Sequence, residues 1–373
     1  MKVAVFLTFN YSINTWNQTG TLLRELEIYK KLHIENGINF TFFSYGDSVD
    51  EQLISEFGFF EVVPIFKNIN LNNKIFKIIF SLLVPIIYSK KLKQYNIIQQ
   101  HQLLGSWVPL LVKLLYRKPV LIRTGYDMYE FSILNNNNFL RKYFLKVLTQ
   151  LSLKYCDLYT VTSNSDINFL KANFSFNSEK VKLRPNWIID NNSNFQNRIS
   201  DEIISVGRLD EQKNYLNLVK LFTENQKYSL KIIGEGERKH DLMKKINKNN
   251  LKVSIEKNMN HENLLDTLKQ YRYFISSSLF EGNPKTLLEA MSSGCIVFAS
   301  KIKNHEEIID DDINGVLFDL SDDSLISKFE SLDNNNSKLI EISKNANKTV
   351  VDKYHIGKIS KKVFSDYKLL ISK

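Results

Sequence analysis

Tyr273-Phe-Ile-Ser-Ser277, followed by Phe280-Glu-Gly-Asn-Pro-Lys-Thr-Leu-Leu-Glu-Ala-Met-Ser-Ser-Gly294 and then Cys295-Ile-Val-Phe-Ala299, reads as strand, loop, helix and strand. Each apolar run is continuous rather than alternating, which is the pattern of a strand covered on both faces. Pro284 is placed to start the helix. Outward from this unit the same rhythm recurs. Toward the C-terminal half, apolar runs at Ile203 to Val206, Leu230 to Ile233 and Lys252 to Ile255 alternate with helical patterns at Tyr215 to Phe222, Lys239 to Asn247 and Glu262 to Gln270. Toward the N-terminus, strands are expected at Val3 to Phe9, Phe40 to Ser44, Asn96 to Gln99, Val120 to Arg123 and Leu158 to Thr162, with helices at Thr19 to Leu32 and Trp107 to Tyr116. Such alternation implies parallel sheets with helices on both faces. The polar, aperiodic, Asn-rich stretch after Trp187 reads as a linker. The expectation is an α/β chain of two Rossmann-like, doubly wound domains, 1–185 and 201–350, joined by 186–200, facing one another across an inter-domain cleft and followed by 351–373. Ligands of such sheets bind outside the carboxyl ends of the strands.

A chain of 373 residues exceeds the size at which a single core stays efficient, which agrees with two domains. With 43% hydrophobic and 24% charged residues, the composition is that of a globular protein, neither disordered nor membrane-spanning. Cys156 and Cys295 are too few for a disulfide framework or a zinc site, and they fit a reducing cytoplasm. Val3 to Phe9 is short, follows a single Lys2 and leads into Asn10 without a small-residue cleavage site, so it reads as a buried strand rather than a secretion signal. The net charge of +10 is concentrated: residues 1–185 hold 22 Lys or Arg against 13 Asp or Glu, and ten basic residues but no acidic one lie between Glu61 and Asp127. That excess suits a surface facing anionic lipid, nucleic acid or an acidic acceptor, and it reads equally as a solvated, Lys- and Asn-rich composition.

Four side chains in the C-terminal half carry chemistry. Glu281 follows the strand ending at Ser277, and Glu289 lies in the helix after Pro284, its side chain leaning back toward the helix start. Carboxylates accept from sugar hydroxyls, while helix-start amides and the dipole attract phosphate oxygens. A sugar nucleotide presents both groups. The plainer reading is a Glu favoured by the macrodipole and a Glu solvated in a loop. Arg208 and Lys213 flank the loop after Val206. A planar guanidinium fork and a compact ammonium suit a diphosphate whose charge grows as a bond to it breaks. As surface residues they would instead pair with Asp210 and Glu211.

Ser205-Val-Gly-Arg-Leu209 with Gln212-Lys-Asn214, Ile232-Ile-Gly-Glu-Gly-Glu237, Glu281-Gly-Asn-Pro-Lys-Thr-Leu-Leu-Glu-Ala-Met291 and Asn314-Gly-Val-Leu317 together resemble glycosyltransferase family 4, the glycosyl transferases group 1. The resemblance is specific over about 181–320 and includes Pro185-Asn186, similar to the family's domain junction. It implies a GT-B fold and a retaining enzyme that uses a nucleoside diphosphate sugar donor. The C-terminal domain would bind that donor, and 351–373 would form a helix returning to an N-terminal acceptor domain. Arg208 and Lys213 would hold the diphosphate and stabilise it as leaving group, Glu281 would contact the transferred sugar, and Glu289 the ribose hydroxyls. Backbone groups of Gly282, Asn283, Pro284, Lys285, Thr286 and Leu287 would serve sugar and phosphate. The loop Lys257-Asn258-Met259 falls where the family cradles the base. In such front-face displacement the departing phosphate itself helps take the acceptor proton. The acceptor implied is a glycan or lipid-linked glycan of cell-surface polysaccharide or lipopolysaccharide synthesis, not nucleic acid, reached by a cytoplasmic enzyme peripheral to the inner face of the membrane. A nucleotide-sugar epimerase, a phosphorylase or a non-catalytic nucleotide-sugar-binding module would use the same cleft.

Two departures stand out. The family's glycine-rich loop after the first strand is reduced to Gly20 within Asn17-Gln-Thr-Gly-Thr21, which leaves one flexible residue for approach to the donor phosphates. Where relatives carry a His, this chain reads Arg123-Thr-Gly-Tyr-Asp127, so an acceptor-activating role passes to Asp127 or Tyr126 or to neither, and Asp127 reads equally as the cap of the next helix. Other motifs lead elsewhere. Gly234-x-Gly236 is followed by Lys239 where a dinucleotide fingerprint needs a small residue. His305-Glu-Glu-Ile-Ile309 lacks the second zincin His, and Asp310-Asp-Asp312 reads as a turn. No cofactor and no metal are expected, because Arg208 and Lys213 already supply positive charge. Ile75 to Tyr88 is apolar nearly all round but too short to span a bilayer. It is either a buried core helix or a segment lying on the cytoplasmic leaflet with Lys90, Lys91 and Lys93 near lipid phosphates.

Overall fold

The computed structural model describes residues 1–67, 73–191, 195–223, 227–319 and 325–372. Its backbone contacts separate two units, Met1–Pro185 with Ile359–Lys373, and Asn186–Lys358.

In the first unit β1 (Lys2–Phe6), β2 (Asn39–Ser44), β3 (Phe60–Pro64), β4 (Ile97–His101), β5 (Val120–Arg123), β6 (Leu158–Val161) and β7 (Val181–Leu183) form one parallel sheet in the order β3-β2-β1-β4-β5-β6-β7. Val3 pairs with Phe40 on one side and Ile97 on the other, which makes β1 central and accounts for its unbroken apolar run. β3 and β7 were not anticipated as strands. β3 ends in Pro64 at the sheet edge, where a missing N–H costs no ladder bond, and β7 has three half-buried residues with little pattern to read. The helix Ile356–Ile371 is tied to this sheet. Asp366 accepts two bonds from Arg184, at 2.6 and 2.7 Å, and one from Lys182 at 3.2 Å, while the Tyr367 hydroxyl donates to Gln99 Oε1 at 2.5 Å.

In the second unit β8 (Glu202–Val206), β9 (Ser229–Ile233), β10 (Val253–Glu256), β11 (Tyr273–Ser276), β12 (Ile296–Ser300) and β13 (Val316–Phe318) give a parallel sheet in the order β10-β9-β8-β11-β12-β13. Both faces are covered. On one, Phe298 stacks on Phe329 at 3.9 Å beside Tyr228 and Tyr273; on the other lie Leu287, Leu288, Met291 and Val297. Each such buried side chain contributes about 2 kcal/mol of transfer free energy. The helix Lys285–Ser292 follows Pro284 and stops before Gly294, whose φ of +78° and close neighbour Arg198 admit only glycine without strain. In both sheets the connection order reverses once, between β1 and β4 and between β8 and β11, which opens a crevice at the carboxyl ends.

Some expectations give way. Of the stretch 186–200 read as a linker, 192–194 lie outside the described residues, and both of its ends pack within the second unit. Trp187, Ile188 and Arg198 are buried, and Arg198 donates to the carbonyls of Tyr271 and Ser293. The apolar content that propensity counts alone pass over makes this segment structural. The Tyr215 to Phe222 helix is a short α-turn, Tyr215–Leu218, continued as 3₁₀. Asn138 and Asn335 cap the helices that follow them: Asn138 accepts from Arg141 N and Asn335 from Lys338 N. The core reading of Ile75 to Tyr88 fails. The helix Lys74–Ile87 buries only Ser81, Val84 and Pro85 and leaves most of its large apolar side chains exposed. Among the described residues no helix is long and apolar enough to cross a membrane.

Candidate active site

The loops leaving β8 and β11 meet at the reversal point of the second sheet. Ser205 Oγ, inside β8, donates to the Ile275 carbonyl, and Ser277 Oγ donates to the Lys213 carbonyl at 2.8 Å. Leu279 N donates to the Gln212 carbonyl. These bonds hold the two loops together and bring Lys213 to Glu281.

Lys213 Nζ donates to Glu281 Oε1 at 2.5 Å, and Ser278 Oγ donates to the same oxygen at 2.7 Å. Gln212 Nε2 donates to Glu281 Oε2 at 3.3 Å and to the Phe280 carbonyl at 2.9 Å. Its Oε1 accepts from Arg208 Nη2 at 3.0 Å. Gln212 therefore joins Arg208 to the carboxylate that Lys213 holds directly. Burial pushes the Glu281 carboxyl upward, but the Lys213 ammonium and the Ser278 hydroxyl outweigh it, and the group lies below its ordinary value. It is a buried, ionised acceptor. Arg208 differs from Lys213 in exposure: its side chain is 72% exposed and rests on Asp210 at 3.2 Å, whereas that of Lys213 is 15% exposed. The surface pairing with Asp210 is thus present, while Glu211 faces Arg238 instead.

Beneath Glu281 lies His305, which the sequence reading set aside with the zincin motif. It is fully buried, Nδ1 lies 2.8 Å from the Ser300 carbonyl, and burial lowers its pKa, so the ring is neutral and Nδ1 carries the proton.

The loop 281–284 is braced from outside. Asn283 Oδ1 accepts from Asn186 N at 2.9 Å, its carbonyl accepts from Asn186 Nδ2 at 2.6 Å, and Asn304 Nδ2 donates to the Gly282 carbonyl at 2.8 Å. The Asn283 side chain is thereby committed to loop shape. Pro284 has no N–H, so it sets the helix start without donating. Lys285 stacks its ammonium 4.2 Å from the Trp187 ring, Thr286 is half-buried, and the Leu287 side chain belongs to the core, which leaves its backbone for a ligand. Glu289 is buried, and Oε1 lies 3.0 Å from His261 Nε2. His261 opens the helix after β10, so it links Glu289 to the loop holding exposed Asn258. The glycines Gly234 and Gly236 serve packing: a Cβ on the first would run into the Gly207 carbonyl oxygen, and on the second would come within 2.5 Å of the Leu209 oxygen. Asp310–Asp312 form a turn, with Asp311 Oδ1 accepting from Leu317 N.

Gly20 and Asp127 belong to the first unit. Gly20, at φ +69°, closes the helix Ile13–Gln18 by donating to the Asn17 carbonyl. Asp127 caps the helix Met128–Leu134, accepting from Glu130 N at 2.8 Å, and is fully buried, which pushes its carboxyl up to about 7. Tyr126 stacks on Phe131 at 4.4 Å.

Gln212, His261, His305 and Asn186 are the residues that sequence reasoning left without a role. Gln212 lay inside the quoted Gln212-Lys-Asn214 and Asn186 beside Pro185, so proximity to a motif was the available signal. His261 and His305 had none, because their partners lie at the far side of other elements.

Residues 189–349 match the model of the glycosyl transferases group 1. The chain is 31% identical over 166 residues to an uncharacterized glycosyltransferase of Methanocaldococcus jannaschii, a match covering 40% of this chain and 41% of that protein. It is 28% identical over 226 residues to the N-acetylgalactosamine-N,N'-diacetylbacillosaminyl-diphospho-undecaprenol 4-alpha-N-acetylgalactosaminyltransferase of Campylobacter jejuni, covering 58% of this chain and 61% of that protein. The matches thus span 41% and 61% of those relatives' own lengths. Among solved structures, Anabaena Alr3699/HepE in complex with UDP and glucose superposes with a TM-score of 0.76 at 14% identity, covering 99% of both chains.

Proposed function

We propose that this protein, which matches the model of the glycosyl transferases group 1 over residues 189–349 and carries the GT-B fold, is a retaining glycosyltransferase that uses a nucleoside diphosphate sugar. It moves a hexose or related sugar to a glycan or lipid-linked glycan acceptor in cell-surface polysaccharide or lipopolysaccharide synthesis, at the inner face of the membrane that holds the acceptor. The observation that carries this reading is the Arg208–Gln212–Lys213–Glu281 cluster at the strand-order reversal, where an anionic ligand and a polyol are served side by side. The lipid-linked part is supported by the diphospho-undecaprenol in the name of the Campylobacter relative, and the donor part by the UDP and glucose bound to the Anabaena protein.

In this reading Arg208 swings from Asp210 to the diphosphate and Lys213 follows it. As the bond from the anomeric carbon to the phosphate oxygen breaks, negative charge gathers on that oxygen, and the two cations offset it. The acceptor oxygen bonds to the same face of the anomeric carbon, and its proton passes to the departing phosphate. Glu281 accepts from sugar hydroxyls and Glu289 from ribose. Amides of Gly282, Asn283, Lys285, Thr286 and Leu287 serve sugar and phosphate, and Asn258 borders the base. The first unit shapes acceptor choice, with Tyr126 and Asp127 near its strand ends. No metal takes part, since the cations are supplied by side chains.

Thermal shift over a panel of UDP, GDP and ADP sugars tests the donor, because a ligand of the native state raises stability with its affinity. NMR of the product with the stabilising donor tests the stereochemistry. The reading is lost if no nucleotide sugar stabilises the protein, if the product is inverted, or if Lys213→Ala and Glu281→Gln leave turnover unchanged.

A further inference from the structure

The first unit holds a cavity of about 770 Å³ that the reaction proposed above leaves unused, a volume in the range of sites for small molecules. It lies at the amino ends of β1, β2 and β3, where Lys2 pairs with Asn39 and Thr41 with Glu61. Lys90, Lys91, Gln94 and Tyr95, which precede β4, and His33 with Phe59 complete its wall. A doubly wound sheet takes its usual ligand at the carboxyl ends, about 17–20 Å away along a strand of ordinary length. The cavity is therefore distinct from that crevice.

Charge and hydrogen-bonding groups define what fits. Among the described residues that line the cavity Glu61 is the one acid, and it is already engaged: Oε2 accepts from Thr41 Oγ1 at 3.2 Å and lies 3.6 Å from Lys91 Nζ. Lys2 and Lys90, both exposed, form no ion pair among the described residues. Three ammonium groups against one carboxylate leave a surplus of two positive charges, so the cavity attracts an anion. A bare ion would leave the rest of the wall unused. Asn39 and Gln94 present amides that both donate and accept, and the buried Thr41 and Tyr95 add hydroxyls. His33 adds an acceptor: its Nδ1 lies 2.9 Å from the Ile38 carbonyl, which holds the proton there and leaves Nε2 of the neutral ring to a ligand hydroxyl. Such groups suit a polyol ring. A nucleobase fits less well, since the rings of His33 and Phe59 already stack on each other at 5.3 Å and 12°, with no slot between them.

We propose that this cavity is a second, non-catalytic site for an anionic saccharide, a sugar ring bearing a phosphate or a carboxylate. Lys2 and Lys90 meet the charged group, and Asn39, Gln94 and His33 meet the hydroxyls. The same chemistry comes from two sources, a soluble sugar phosphate or a uronic acid unit within a glycan chain. The site goes beyond the transfer reaction proposed above and does not depend on it.

The test is titration calorimetry of the full-length protein with glucose 6-phosphate, an oligomer of galacturonic acid, glucose and inorganic phosphate. One of the two anionic saccharides should bind at one site per chain, at least about tenfold more tightly than glucose or phosphate, because charge and hydroxyls are recognised together. Tighter binding of glucose 6-phosphate assigns the soluble source, and tighter binding of the oligomer assigns the chain. Added salt should weaken either. Lys2→Gln combined with Lys90→Gln should weaken binding at least about tenfold, and Asn39→Trp, which places an indole in the cavity, should abolish it. Circular dichroism melting of both variants should match the wild type, since the replaced side chains are exposed. The proposal is overturned if neither anionic saccharide binds, if inorganic phosphate binds as tightly as the sugar phosphate, or if both variants bind like the wild type. It is also overturned if glucose 6-phosphate is displaced by the nucleotide sugar that stabilises the protein, which would assign its binding to the crevice of the second unit. Failure of the donor panel leaves these titrations unaffected, so the two readings fail separately.

Discussion

Lys213 and Glu281, separated by 68 positions in sequence, form a 2.5 Å ion pair between the loops that leave β8 and β11. Because those strands are neighbours at the strand-order reversal, the pair sits where the crevice of a doubly wound sheet takes its ligand. The pair joins stability to chemistry, since the cation that holds a buried carboxylate ionised is also the one proposed to face the diphosphate.

Lys213→Ala should strip Glu281 of its nearest cation. The expected cost is about 3 kcal/mol of unfolding free energy, the scale for leaving one partner of a buried pair uncompensated. Turnover should fall by about two to three orders of magnitude, the scale of losing a charge-stabilising donor. Urea denaturation and initial rates measure the two, and Glu281→Gln added to Lys213→Ala should restore most of the stability and none of the rate.

Asp127 should impose a pH dependence of the opposite sense to Glu281. Its carboxyl is raised from 3.8 to about 7, so the folded state binds the proton more tightly than the unfolded chain. The stabilisation is complete below the ordinary carboxylate range and is lost as pH rises through about 7. Asp127→Asn keeps a capping oxygen and should flatten that slope when melting is followed from acid to mildly alkaline pH. If Asp127 only caps its helix, the same variant should keep wild-type turnover; a loss of more than about tenfold would assign it a part in the reaction.

For Glu281 the folded value is depressed, so its contribution is present above the ordinary Glu range and is lost as pH falls toward the lowered value. Glu281→Gln should therefore unfold with a shallower acid dependence than the wild type in that window. Parallel acid-denaturation curves for the two proteins would contradict the assignment.

Asp366→Ala should loosen the C-terminal helix from the first sheet. It leaves Arg184 and Lys182 facing a void where a buried carboxylate had held three bonds. A loss of about 3 kcal/mol is expected, read by urea denaturation, together with faster amide exchange in β7.

Metal removal should leave turnover within about twofold, because the proposed leaving-group stabilisation comes from side chains. Rates in the presence of EDTA, with and without added magnesium or manganese, check this. A requirement restored by one ion would shift the role of Arg208 and Lys213 to binding alone.

Local pattern was enough for much of this molecule. Unbroken apolar runs between Gly- and Pro-containing loops identify most strands, since both faces of a parallel sheet are covered, and Pro284 starts its helix by backbone chemistry alone. Arg208, Lys213, Glu281 and Glu289 were singled out by residue type and position relative to those strands. Tertiary structure decided the rest. Strand order is not written in any one segment, so the joining of Arg208 to Glu281 through Gln212, the neutral His305 below them and the His261 partner of Glu289 emerge only when distant loops are brought to one edge. The short edge strands β3 and β7 are too small to display a period. The outward face of Lys74–Ile87 is the clearest case: a run of Ile, Leu and Phe looks the same whether it is buried in protein or left on the surface, because hydrophobicity fixes what a side chain avoids and only packing fixes what covers it.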